Sequence, residues 1–297
     1  MTIKYLVLSG GGYTGLITYG VLKKLSAEGY WNVKDTVAIY GTSIGAIVGV
    51  MLMLGYEWDF LDNYIINRPW NKLMEISPDN FIDLNIKKGL FDSKIISEVL
   101  LPLLEAKGFS KTITLKDFYE KTQVSLNTVA CNLNVTNEIV TETISYITHP
   151  DMPLLKAVEA SACIPFLFSP ICYNGACYVD GGMLVNYPLN ICLDETKCEE
   201  DEVFAIKNKW EDNNYKINKD TSLIDFIFIY LKKSHNFMEN TMEQKTIKNC
   251  ITCLIDGSSK SPHTYTKLIY KQSTRKSLIK EGEKYAEEFL QRDRGSP

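Results

Sequence analysis

Residues 39–54 read IYGTSIGAIVGVMLML. The apolar run over 37–40 predicts a buried strand. Gly41-Thr-Ser43-Ile-Gly45 follows, and small apolar residues through Leu54 predict a buried helix. A serine in G-x-S-x-G between strand and helix is the pattern of a nucleophile elbow. The turn is so tight that the serine backbone is strained, and glycine on either side lets strand and helix approach without a Cβ clash. The hydroxyl then projects at the positive end of a helix, where a developing oxyanion is stabilised. A strand-to-helix turn that merely contains serine is the plainer alternative, so the weight of the pattern rests on its partners elsewhere in the chain.

Upstream, residues 3–8 form a short aliphatic stretch that predicts a strand running into Gly10-Gly11-Gly12-Tyr-Thr-Gly15. A helix follows, with Ile17, Val21, Leu22 and Leu25 on one face. Strand-loop-helix thus occurs twice in 54 residues, which predicts an α/β fold with a mostly parallel sheet covered by helices. The glycine loop has three readings. Gly10-x-Gly12-x-x-Gly15 matches the dinucleotide fingerprint in form, but that site wants an acidic residue closing the second strand, which here closes at Tyr40. A P-loop lacks its Gly-Lys-Ser/Thr. The third reading fits best: an oxyanion hole of bare glycine amides, with the Ile44 amide expected to converge on the same point. Two loops at the C-terminal ends of neighbouring parallel strands face one crevice.

Downstream, Asp180-Gly181-Gly182 closes a predicted strand over 176–179. The two glycines let the backbone fold away while the carboxylate faces inward; a plain Asp-Gly turn is the common alternative. Segments 124–133 and 138–146 alternate apolar and polar residues as strands of a hairpin or a sheet edge do, and 152–165 predicts a helix stopped by proline. The stretch 56–121 reads as an insertion walling or lidding the site. Its Trp58, Phe60, Tyr64, Trp70 and Phe81 are candidates for an apolar acyl channel, with ordinary core packing at least as good a reading for each alone. Beyond it come a strand at 203–206, a helix opened near Thr221, a strand at 251–255 and a long helix over about 266–290.

A net charge of −4 offers no basic surplus for nucleic acid or for anionic membranes. No run reaches the roughly 18 apolar residues of a membrane span, and the N-terminus lacks signal-peptide form. The eight cysteines make no disulfide framework, and Cys250-x-x-Cys253 has no second ligand pair, so no metal and no cofactor are expected. Reduced thiols point to a cytoplasmic setting, with transient contact at a membrane surface left open.

Taken together, Gly10–Gly15, Gly41–Gly45, Ala160-Ser-Ala-Cys-Ile-Pro-Phe-Leu-Phe-Ser-Pro170 and Asp180–Gly182 fall in the order of the patatin-like phospholipases, which this chain resembles. Lys88-Gly-Leu-Phe-Asp is similar to the family as well. The resemblance implies a three-layer α/β/α fold and a Ser–Asp dyad that cleaves lipid acyl esters without calcium. By position, Ser43 is then the nucleophile, Asp180 the base, and the Gly11 and Gly12 amides bind the oxyanion. The expected division is a hydrolase domain over 3–195, strands and helices of 196–290 packed on it, and a disordered tail over 291–297. The departure is at Thr14, where the family commonly carries Arg or Lys. If that cation holds phosphate, neutral esters should be cleaved at least as well as phospholipids.

Rival functions keep their place beside this one. An esterase with a Ser-His-Asp triad fits the chain order Ser43, Asp180, then His235 or His263, although both histidines lie in polar, exposed-looking text and His149 precedes the aspartate. A non-catalytic lipid-binding protein of the same fold is motivated by Thr14. A nucleotide-dependent oxidoreductase lacks its ribose acid.

Overall fold

The computed structural model describes residues 2–73, 86–210, 217–241, 243–255 and 271–294. Four strands make the parallel centre of the sheet: β1 (Tyr5–Leu8), β2 (Ala38–Thr42), β4 (Ser125–Val135) and β9 (Val203–Trp210). Burial on both faces explains why β1 and the start of β2 are apolar without alternation, whereas β4 carries Ser125, Asn127, Thr128 and Asn132 among its apolar residues. The remaining strands are β3 (Gly89–Phe91), β5 (Glu138–Ile144), β6 (Phe166–Phe168), β7 (Ile171–Tyr173), β8 (Ala176–Asp180) and β10 (Cys250–Ile255). The main sheet runs β10-β9-β1-β2-β4-β8-β7, with β5 also on β4; β3 and β6 pair apart. Pairings from β10 through β4 are parallel, while β5, β7 and β8 join antiparallel.

The helices are α1 (Gly15–Ala27), α2 (Ile44–Met53), α3 (Trp58–Asn67), α4 (Lys94–Ala106), α5 (Leu115–Thr122), α6 (Leu154–Ala162), α7 (Leu189–Thr196), α8 (Leu223–Thr241) and α9 (Gln272–Arg294). They cover both faces of the sheet. Leu6, Leu8 and Ile39 face the larger core, with α1, α2, α4 and α6. Their sequence neighbours Val7, Ala38 and Tyr40 face a second core with Leu189, Cys192 and Leu193 of α7. The period-two alternation of β1 and β2 therefore separates two cores, giving helix, sheet and helix layers.

β9 and β10 extend the same sheet beyond residue 195, and α9 crosses α1 so closely that a Cβ on Gly20 would strike the Ile279 carbonyl and one on Gly282 the Ile17 carbonyl. The helix expected over 266–290 begins at Gln272 and continues to Arg294, through part of the stretch expected to be a tail. Its earlier residues, with His263, lie outside the described residues. The strand expected over 37–40 spans 38–42, because sheet pairing with β4 carries it two residues into the elbow.

One register positions the site. β4 pairs β2 through Leu126 to Val129 and β8 from Ala130 to Asn132, while β5 runs along Thr128 to Asn132. A strand residue has one neighbour per edge, so β5 occupies one edge of β4. β2 and β8 therefore share the other edge, end to end. β2 finishes at Thr42 opposite Val129, and β8 arrives from the far side to finish at Asp180 opposite Ala130. The two turns meet across adjacent rungs of β4.

Candidate active site

At the end of β2 the chain turns through Ser43, which has φ 56° and ψ −121°, a conformation that costs a non-glycine residue on the order of 1–3 kcal/mol. The turn is as tight as the pattern requires: a Cβ on Gly41 would lie 2.6 Å from the Ala46 nitrogen, and one on Gly45 would strike the Leu8 carbonyl. The strain is held by a bond from the Ser43 amide to Ser161 Oγ at 3.0 Å; Ser161 in turn donates to the Val129 carbonyl at 2.6 Å. Ser161 is fully buried at the end of α6, so it locks the elbow to the β4 rung where the two strands meet.

Across that junction Ser43 Oγ donates to Asp180 Oδ2 at 2.6 Å, and the Gly182 amide donates to Oδ1 at 2.7 Å. Burial pushes the Asp180 carboxyl up to about 6, against the opposing pulls of the Ser43 and Gly182 hydrogen bonds and of His235. A carboxylate so desolvated is a stronger base than an exposed one. Two thiols also face it, Cys131 on β4 and Cys163 after α6; burial raises Cys131 to about 12 and Cys163 further, so both stay protonated.

The glycine loop departs in part from expectation. The Gly10 amide donates to the Asn186 carbonyl at 3.0 Å, so Gly10 is not available as an oxyanion donor. No hydrogen bond among the described residues engages the Gly11, Gly12 or Ile44 amide. Gly11 (φ 151°) and Gly12 (φ 62°) have the positive φ that glycine tolerates, entering a 3-10 turn and then α1 at Gly15. The loop is braced from below: Asn208 Nδ2 donates to the Gly10 carbonyl at 3.3 Å, and the Asn208 amide donates to Ser9 Oγ at 2.8 Å. Asn186 Oδ1 lies where a Cβ on Gly10 would go and 2.9 Å from one on Gly182, wedged between the glycine loop and the aspartate turn. Thr14 is fully buried, its Oγ1 under Gly11, and it does not line the cavity described below. Position 14 therefore packs the loop in this chain, away from the cavity.

Ser43 opens into a cavity of about 250 Å³ whose walls are almost wholly apolar. One side of it is α2, through Ile44, Ile47, Val48 and Met51; α4 contributes Ile96 and Val99, and the β6 region Leu167 and Phe168. Of the aromatic residues expected there, only Trp70 among those described lines it. Trp58 packs edge-on against Tyr19 and Trp31, Tyr64 is tied to the Val99 carbonyl at 2.8 Å, and Phe60 is exposed. Phe81 lies outside the described residues. Aliphatic side chains of α2, a helix read from the sequence as core, line the cavity together with Tyr13, Tyr19, Trp70 and Phe168. Arg275 of α9 reaches the same wall, donating from Nε and Nη2 to the Ile66 carbonyl at 3.1 and 2.6 Å.

Neither of the two described histidines stands between serine and aspartate. His149 contacts Thr148 and the Tyr178 hydroxyl. His235, expected in exposed text, is partly buried on α8 with Nδ1 2.8 Å from the Gly182 carbonyl. No group of His, Cys, Asp and Glu able to hold a metal occurs among the described residues, nor does a helix long and apolar enough to cross a membrane.

A family model described as patatin-like phospholipase matches residues 6–193. The chain belongs to the patatin-like phospholipase family. It is 31% identical over 221 residues to "Probable lipid hydrolase 463L" of Invertebrate iridescent virus 6, covering 72% of each chain. It is 27% identical over 244 residues to the uncharacterized protein YqhO of Bacillus subtilis, covering 77% of this chain and 80% of that one. Among solved structures, the type III effector protein ExoU matches with a TM-score of 0.51 at 13% identity. The match covers all of this chain and 54% of that one, and it is a likeness of fold.

Proposed function

We propose that the chain is a serine acyl hydrolase of lipids, cleaving fatty acyl esters through a Ser43–Asp180 dyad and an acyl-enzyme. The observation that carries this is the 2.6 Å bond from Ser43 Oγ to a buried carboxylate at the mouth of an apolar cavity. Family membership and the name of the viral relative agree with it. A serine hydroxyl attacks an ester only when a base takes its proton, and Asp180 is within reach to do so. Oγ bonds to the acyl carbon as its proton passes to Oδ2. The carbonyl oxygen becomes an oxyanion served by the Gly11, Gly12 and Ile44 amides. Collapse breaks the ester bond, and the departing alcohol takes the proton from Asp180. Water then attacks the acyl carbon and gives its proton to Asp180; the bond from Oγ to the acyl carbon breaks, Oγ takes that proton back, and the fatty acid leaves with Ser43 and the Asp180 carboxylate restored. One acyl chain lies along α2; the alcohol portion stays outside.

A fluorophosphonate probe with mass-spectrometric readout tests this. Labelling should fall on Ser43 and vanish in Ser43→Ala, along with ester hydrolysis, while the circular dichroism spectrum is unchanged. Turnover near wild type in Ser43→Ala would sink the assignment.

A further inference from the structure

We propose that His235 of α8 is a positioning residue for Asp180, holding the Asp180–Gly182 turn through the Gly182 carbonyl so that Oδ2 stays aimed at Ser43. The inference rests on the dyad proposed above, but uses residues outside it. His235 lies beyond residues 6–193, on a helix whose principal contact is the 3-10 turn Gly181–Met183. A carbonyl oxygen only accepts, so His235 Nδ1 carries the proton and donates at 2.8 Å. Gly182 is thereby gripped at both polar groups, its amide on Asp180 Oδ1 at 2.7 Å and its carbonyl on the imidazole. Two rotations of the backbone at Gly182 would otherwise swing the amide off the carboxylate, since glycine resists such motion least.

The other bonds in the turn do not replace this grip. Leu184 and Val185 amides donate to the Gly181 carbonyl at 3.1 and 2.8 Å, and the Asp180 amide donates to Cys163. They fix the residues on either side of the Gly182 carbonyl and leave it to His235. The position also has an electrostatic signature. Of the titratable groups that face Asp180, Cys131 on β4 and Cys163 after α6 are protonated thiols, and His235 on α8 is the one that favours the carboxylate form. Lys232 and Lys233 lie on the same helix as His235, and Asp180 is the titratable group on the turn that α8 packs against. His235 thus pulls the Asp180 carboxyl down against the burial that raises it, so its removal moves the acid limb of activity to higher pH.

The test compares His235→Asn, which keeps a donor where Nδ1 stands, with His235→Leu, which does not. Each is assayed for kcat, KM and the pH profile on a p-nitrophenyl acyl ester, normalised by fluorophosphonate titration of Ser43. In His235→Leu, kcat should fall about tenfold at unchanged KM, the size of one lost hydrogen bond to the turn. His235→Asn should recover kcat to within about threefold, with its acid limb displaced to higher pH. A wild-type kcat in His235→Leu, or an acid limb in His235→Asn that coincides with wild type, overturns the proposal. Should His235→Leu not fold, the acid limb of His235→Asn decides alone. Failure of the wild type itself to label at Ser43 removes the dyad and this inference with it, whereas labelling at an equal rate in all three proteins removes the inference only.

Discussion

At the scale of single residues, Asp180 is where stability and chemistry oppose each other. Its carboxyl is raised from an ordinary 3.8 to about 6, chiefly by burial. A folded-state value above the unfolded one means stability fully present below about pH 4 and lost as pH rises through 6. The shift of about 2 pH units corresponds to about 3 kcal/mol at neutral pH. Asp180→Asn should therefore raise Tm by several degrees at pH 7 while lowering kcat ~10²–10⁴-fold through loss of the base. Scanning calorimetry beside kinetics checks both; a fall in Tm would mean that the burial cost has been misjudged. In the wild type, kcat/KM should decline as pH drops through about 6. Ser161→Ala should instead lower both stability and activity. It leaves the buried Val129 carbonyl and the Ser43 amide without their partner, at about 1–3 kcal/mol each, so Tm and the titratable fraction of Ser43 should drop together. An unchanged Tm would show the elbow to be held by other means.

At the scale of elements, the proposed mechanism gives α2 two tasks: its N-terminus carries the nucleophile, and its side builds the acyl wall. Ile47→Trp should shift the ratio of kcat/KM from long-chain towards short-chain p-nitrophenyl esters, at a cost of about 1–3 kcal/mol for overpacking. An equal loss across chain lengths would place the acyl group elsewhere. The elbow was legible in the sequence because its demands are local: Gly41, Ser43 and Gly45 sit within five residues and each answers one steric need. The Asp180 turn was legible for the same reason. The bracing was not. Ser161, Asn186 and Asn208 reach their partners across 118 to 198 residues, and no spacing announces a contact of that kind. The Gly10 amide misled because its acceptor is a carbonyl at Asn186 that composition cannot reveal. The inward direction of Thr14 was not legible either, because a turn can point a side chain under a loop as readily as out of it.

For the whole molecule, the match to the family ends at residue 193, yet the sheet does not. β1 lies between β2 and β9, pairing Tyr5 to Leu8 with Val203 to Ile206. A chain cut after residue 195 would leave β1 as an open, wholly apolar edge and uncover its two cores. Such a truncation should be insoluble or aggregated when expressed, as pelleting of the lysate and size-exclusion chromatography would read. A soluble, monomeric and probe-reactive fragment would instead make residues 196–297 an appendage. The mostly parallel character of the sheet was legible from the repeated strand-loop-helix unit, but the order of its strands and the place of β8 were not. Its five residues look the same whether they enter the sheet from one end or the other.

That entry has a consequence for how the protein fails. The nucleophile closes a strand that ends opposite Val129, and the base closes one that ends opposite Ala130, so their alignment is fixed by neighbouring rungs of β4. A slip of β8 by one residue would shift Asp180 by about 3.3 Å and turn its side chain to the other face. Such a molecule would keep its helices, its compactness and nearly all of its core, and be catalytically silent. Titration of the reactive serine therefore counts molecules assembled in register, a quantity that circular dichroism and light scattering do not sense.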